Sequence, residues 1–197
     1  PMTSRIDGRT ARRERNRDEV VEAALALIDE GVADPSIEQL TAKSGLSARS
    51  IFRYFDGLDD LRRSVIRRHF ERVRPLAVVP EAGSTPLDAR IRRFVDARLK
   101  FNEAVAGPAR TARARAPYAP TLADDIHEYR DFLNTQIREQ FAPELSKHPK
   151  AEADDLAAIV GVIVSFDGFE LMTRDHRKSR SQIRRAWIQA LTKLLAA

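Results

Sequence analysis

SIEQLTAKSGLSARSIFRYFDGLDDL, residues 36–61, is the stretch on which the reading of the whole chain turns. Ser36 followed three positions later by Gln39 is a capping box, which starts a short helix that buries Ile37 and Leu40. Gly45 ends that helix, because a left-handed residue there costs little. Ser47 caps a second short helix, Ala48 to Phe55, and Gly57 breaks it. Asp59 and Asp60 then suit the first turn of a longer helix with Leu58, Leu61, Val65 and Val73 inward. Two short helices joined by a tight glycine turn form a helix-turn-helix.

The second of these helices has two kinds of residue for two jobs. Leu46, Ile51 and Phe55 anchor it inward. Ala48, Arg49, Ser50, Arg53 and Tyr54 are left toward solvent or DNA. Arginine forms paired hydrogen bonds to guanine, and tyrosine and serine hydroxyls suit phosphate. The first helix braces on the DNA backbone, with Thr41 and Ser47 added to the candidate contacts. The plainer alternatives are that Arg49 and Arg53 are solvated surface arginines and that Tyr54 packs.

Upstream, Val20, Val21, Ala24, Leu25, Leu27 and Ile28 follow helical spacing, and a helix is expected to end near Gly31. Before it, Arg5, Arg9, Arg12, Arg13, Arg15 and Arg17 form a basic arm over residues 1–17, open to solvent or to phosphate. Acids dominate from Asp18 to Glu38, and arginines from Arg49 to Arg74. Downstream, Pro75 to Pro86 reads as a connector. A helix from Leu87 to about Val105 follows, then a short basic helix over Gly107 to Pro117 and a long one from Leu122 to about Pro143. An apolar helix, Leu156 to about Thr173, is expected to be buried on most sides. Ile183 to Leu194 marks the last helix. No strand-like alternation of any length appears, so the fold is expected to be all-α. The expected domains are the arm, a helix-turn-helix domain with its connecting helix over 18–74, and a helical effector-binding and dimerisation domain over 75–197.

The composition bounds the function. The 197 residues carry 43% hydrophobic and 32% charged side chains, as a globular protein does. Cysteine is absent, so there is no disulfide framework and no thiolate chemistry. No apolar run reaches the roughly 18 residues of a membrane span, and the opening PMTSRIDGRTARRER has no apolar core. A cytoplasmic protein without a membrane partner is expected. The net charge of +5 is a mild pointer to an anionic partner.

Residues 36–61, with the helix before them, resemble the N-terminal domain of the TetR family of bacterial transcriptional regulators. The match lies in the capped short helix, the small-Gly-aliphatic-Ser turn, the aromatic-rich helix ending in Phe, and the acidic start of the next helix. Three positions depart from the family pattern. Leu58 stands where a phosphate-contacting lysine is frequent, with Arg62 or Arg63 as possible substitutes. Phe52 stands where tyrosine is common, and Thr41 where alanine is frequent. The resemblance implies a repressor of a pseudo-palindromic double-stranded DNA operator, an effector pocket in the C-terminal helices, and a homodimer built from the last two helices.

The residues of the second half fit these implications. Ile159, Ile163, Ile183, Trp187, Leu191 and Leu194 are the candidate dimer interface, and the alternative is ordinary core. Polar groups inside apolar stripes mark a candidate pocket for a small, largely apolar effector: Arg98, Asn102 and Glu170 among Phe94, Phe101, Tyr129, Leu133 and Phe166. The alternative is an internal ion pair, Arg98 with Asp167 or Glu170, or Glu170 with Arg174 one turn on. No phosphate-binding glycine loop, zinc-binding HExxH or nucleophile elbow occurs, and His69, His127, His148 and His176 are scattered. No enzyme activity, cofactor or metal is expected.

Overall fold

The computed structural model describes residues 3–80 and 85–196, with side chains from Thr10 onward. Every regular element among the described residues is helical. In order these are α1 (Thr3–Asp29), α2 (Ile37–Ser44), α3 (Ala48–Tyr54), α4 (Leu58–Val73), α5 (Leu87–Arg115), α6 (Pro120–Gln140), α7 (Ala142–Leu145), α8 (Lys150–Ile163), α9 (Phe166–Glu170) and α10 (Arg180–Leu195). A 3₁₀ turn, Arg74–Ala77, follows α4, and a π-helical turn, Leu171–Asp175, follows α9. Among the described residues no single helix is long and apolar enough to cross a membrane; α8 and the α9 segment qualify only together and meet at a bend of 40°.

The chain forms two compact units, residues 1–72 with 107–123, and residues 73–106 with 124–197. This differs from a single boundary at 75. The expected short basic helix over 107–117 does not exist as a separate element, since α5 runs unbroken through Gly107 and Pro108. Proline in a helix interior removes one hydrogen bond and crowds the carbonyl four residues back. Packing overrides that local preference. A Cβ on Gly107 would lie 3.2 Å from the Ala33 Cβ, so glycine allows the close approach. Pro108 and Thr111 line the same small cavity as Ala24, Ile28, Leu61 and Val65.

In the first unit the stretch expected as a basic arm is helical from Thr3; Arg12, Arg13 and Arg15 are exposed, Asn16 and Arg17 are half-buried, and the side chains of Arg5 and Arg9 lie outside the described residues. The core joins Val20, Val21, Ala24, Leu25 and Leu27 of α1 to Leu40, Ile51, Phe55, Leu61 and Val65. The acidic second half of α1, from Asp18, meets the arginine-rich α4 beside this core. Arg68 pairs with Asp18 at 3.0 Å and Glu22 at 3.1 Å, and Arg72 with Asp29 at 2.6 Å. The alternating charge blocks of the sequence are therefore used in part on each other.

In the second unit Ile91, Phe94, Val95 and Leu99 of α5 are buried, as are Ile137 of α6 and Phe141 just beyond it. Arg90 and Glu144 form an ion pair inside the unit, with Arg90 Nη1 2.7 Å from Glu144 Oε2 and 2.8 Å from the Gln140 carbonyl. The apolar run Leu156–Thr173 is not one helix. It breaks at Val164–Ser165, where the Ser165 hydroxyl caps the Gly168 N–H at 2.9 Å. A side chain on Gly168 would stand 2.7 Å from the Ile163 carbonyl, so the break requires glycine there. Nor is the run buried on most sides: Ile159, Val162 and Leu171 are 48%, 71% and 53% exposed.

Candidate functional site

The turn between α2 and α3 forms as its residues dictate. Ser36 and Gln39 cap α2 reciprocally. Gly45 sits at φ 71°, and its N–H donates to the Thr41 carbonyl at 3.0 Å. Ser47 Oγ accepts from the Ser50 N–H at 3.2 Å, and the Ser47 hydroxyl donates to Ser50 Oγ at 3.0 Å. The Thr41 hydroxyl donates to the Glu38 carbonyl at 2.8 Å, so its proton is engaged within its own helix. These hydroxyls are local struts in this structure.

The outward face of α3 carries Arg49, Phe52 and Arg53, with Ala48 and Ser50 half-exposed beside them. Tyr54 is not on that face. It is buried in the core, and Phe52 is 49% exposed instead. A hydroxyl explains why a polar aromatic tolerates burial: Tyr54 Oη receives hydrogen bonds from Asn16 Nδ2 at 2.6 Å and Arg53 Nη2 at 2.9 Å. The Arg53 guanidinium, with Asn16, holds this phenol below the ordinary tyrosine value.

Arg17 is the residue that sequence patterning missed. It reads as one more arm arginine, yet it ties three elements together. Its Nη1 donates to the Tyr54 carbonyl at 2.9 Å, and its Nη2 to Asp60 at 3.0 Å and Ser64 at 2.7 Å. Its guanidinium lies 4.4 Å from the centre of the Phe55 ring. The carboxylate of Asp60 stays below its ordinary pKa through this contact and the Asp56 N–H, against a desolvation that opposes them. A sign of this role lay in the sequence only as an arginine next to the first core residues of α1.

Leu58 packs against the core of the first unit. Arg62, one turn on, is held by Asp34 at 3.0 Å and Asp59 at 3.6 Å, so its charge is already matched.

In the second unit α5 places Phe94, Arg98 and Asn102 on one stripe, four residues apart. Arg98 is 2% exposed. Its guanidinium lies 4.9 Å from the Phe94 ring centre, and Phe94 meets Phe141 edge-on at 5.1 Å. One guanidinium bond is made, Nη2 to the Leu133 carbonyl at 3.1 Å. Nε and Nη1 are buried without an acceptor. Desolvation alone pushes the Arg98 pKa down to about 10, with no counter-charge to offset it. Asn102 donates to the Val164 carbonyl at 3.1 Å, two residues before Phe166, and its buried Oδ1 has no donor. Phe101 and Phe166 are buried, and Tyr129 and Leu133 are half-buried on α6.

The ion pairs offered as the alternative fall elsewhere. Asp167 pairs with Arg130 at 3.0 Å and Glu170 with Arg174 at 3.7 Å. Arg98 therefore stands apart from both carboxylates.

The expected dimer residues divide. Ile183, Trp187 and Leu191 are 1%, 3% and 0% exposed, so they pack inside the protomer and are not available to a partner. α10 turns that stripe into its own unit's core. Leu194 and Ile163 are half-buried, and Ile159 is open to solvent.

No protein-family profile and no curated protein matches the chain. Among solved structures, the chain resembles a crystal structure of a proposed transcriptional regulator, SCO7518 from Streptomyces coelicolor A3(2). The two share 17% identity with a TM-score of 0.60, over 93% of this chain and 99% of that one. At this identity the likeness concerns the all-α fold.

Proposed function

We propose that the protein is a TetR-like, sequence-specific DNA-binding transcriptional regulator, acting in the cytoplasm as a homodimeric repressor on a pseudo-palindromic operator. One observation carries this reading. A seven-residue helix, fixed by Ser47 and Gly45, turns Ile51, Tyr54 and Phe55 into the core and leaves Arg49, Phe52 and Arg53 outward. That is the arrangement a major-groove reader needs. Arg49 and Arg53 supply donors for guanine or phosphate, and Phe52 supplies apolar contact for a thymine methyl. Ala48, Ser50, Thr41 and Ser47 border the same surface, and Tyr54 acts from behind by fixing Arg53. The proposed regulator role of the structurally similar chain agrees with this reading.

The effector is proposed to bind around Arg98, Phe94, Phe101, Asn102, Tyr129, Leu133 and Phe166, with Glu170 at the edge. α5 carries Arg98 and continues to Arg115 as one helix, so an effector held there acts directly on an element that also belongs to the first unit. Coupling of this kind is about 1–3 kcal/mol and reciprocal.

The test is selection of duplexes from a random pool by the purified protein, followed by titration of the enriched site at two salt concentrations. A pseudo-palindrome bound at about 10⁻⁸–10⁻¹¹ M and weakened steeply by salt supports the reading. A second reading, a protein of this fold that no longer reads DNA, is favoured by Leu58 in the core and by Arg62 already paired. Binding indifferent to sequence would select it.

A further inference from the structure

We infer that the ligand of the Arg98 site is a small organic carboxylate, with an apolar body and a hydrogen-bond donor near its acid group. The inference rests on the effector site proposed above and names its chemistry.

Arginine buried to this degree normally faces a carboxylate or spends most of its five N–H bonds on carbonyls. Arg98 does neither. Leu133 accepts from Nη2, while Nε and Nη1 are buried with no acceptor. The nearby acids are engaged elsewhere, Asp167 by Arg130 and Glu170 by Arg174. The guanidinium lies 4.9 Å from the centre of the Phe94 ring, and no acid among the described residues pairs with it. A carboxylate accepts from a guanidinium in a planar fork, which neutral groups do not match in charge and phosphate exceeds in charge. Asn102, one turn along the same stripe, gives its Nδ2 to the Val164 carbonyl and keeps Oδ1 without a donor. Buried acceptors are costly unless paired, so a hydroxyl or N–H on the ligand completes the site. Phe94, Phe101 and Phe166 suit the apolar body.

The full-length protein, unfolded and refolded to remove bound compounds, is titrated with sodium monocarboxylates from butanoate to decanoate, benzoate and 2-hydroxybenzoate. Their matched primary amides serve as controls. Binding is read by thermal shift and by the Arg98 Nε–H resonance in ¹⁵N-arginine-labelled protein. The expected result is saturable binding of at least one acid, with its amide about tenfold weaker or worse and the Nε–H resonance moving on saturation. Arg98→Met is expected to weaken that acid about tenfold to a hundredfold, and Arg98→Lys to weaken it less. Absence of binding by every acid, equal binding of acid and amide, or unchanged affinity in both Arg98 variants would overturn the inference. Should Arg98→Met not fold, Arg98→Lys and the wild-type resonance decide alone. Addition of the bound acid to the operator titration separates the two proposals. Acid binding without selective DNA binding sinks the regulator and leaves the carboxylate site standing. Selective DNA binding without acid binding does the reverse.

Discussion

Burial of Arg98 opposes its charge. Its pKa is pushed down to about 10, well below the ordinary arginine value, because burial disfavours its charge. Below pH 10 both folded and unfolded chains hold the proton, so the full cost is present at neutral pH. Above about pH 10 the unfolded chain binds more protons, so the cost of this group shrinks as pH rises. Arg98→Met is therefore expected to stabilise the ligand-free protein at pH 7 by about 1–4 kcal/mol. Urea titrations of both proteins should show that advantage shrinking above pH 10. The opposite case is Glu144, whose carboxyl is held below its ordinary 4.5 by the hydrogen bonds from Arg90. A lowered carboxylate stabilises above its unfolded value and loses that contribution as pH falls through the folded one. Glu144→Gln leaves Arg90 buried and unmatched, and is expected to cost about 3–5 kcal/mol at pH 7. The deficit should narrow below pH 4.5.

At the scale of elements, α3 has seven residues and does not hold itself. Isolated helices of this length are unstable in water, so its orientation comes from its caps and from what grips its far end. Ser47→Ala removes the cap and is expected to cost about 1 kcal/mol in thermal unfolding. Arg17→Met removes the bonds to the Tyr54 carbonyl, Asp60 and Ser64 together. It is expected to cost about 2 kcal/mol and to weaken selective DNA binding, although Arg17 lies outside the reading face. If Arg17→Met lowered stability with no change in operator affinity, α3 would be positioned by core packing alone. The break between α8 and α9 follows the same logic: a serine cap and a glycine that admits the Ile163 carbonyl redirect an otherwise uniform apolar run.

At the scale of the whole molecule, the apolar surface left exposed bears on assembly. Apolar surface remains on α8 at Ile159 and Val162 and at Leu171 beyond α9. The proposed homodimer would cover this surface, not the stripe Ile183, Trp187 and Leu191. Val162→Glu is accordingly expected to shift the protein toward monomer in sedimentation without lowering monomer stability. Trp187→Ala is expected to cost about 3–5 kcal/mol in any state of association, since its ring fills the core. A dimer that survives Val162→Glu would place the interface elsewhere.

Local chemistry determined much of this protein. The helical spacing, the capping box at Ser36, the glycine at Gly45 and the cap at Ser47 are short-range features, so the helix-turn-helix is legible in residues 36–61. What neighbours far along the chain contribute was not legible. Tyr54 and Phe52 are both aromatic, and only the partners Asn16 and Arg53 make burial of the hydroxyl affordable. Gly107 and Pro108 look like a helix end until Ala33 packs against them. α10 has one apolar stripe, and periodicity cannot distinguish a partner subunit from the protomer's own core. Arg98 sits in an apolar stripe on any reading of the sequence. That no carboxylate among the described residues pairs with it is a fact of three-dimensional packing, because charge pairing depends on distance through space.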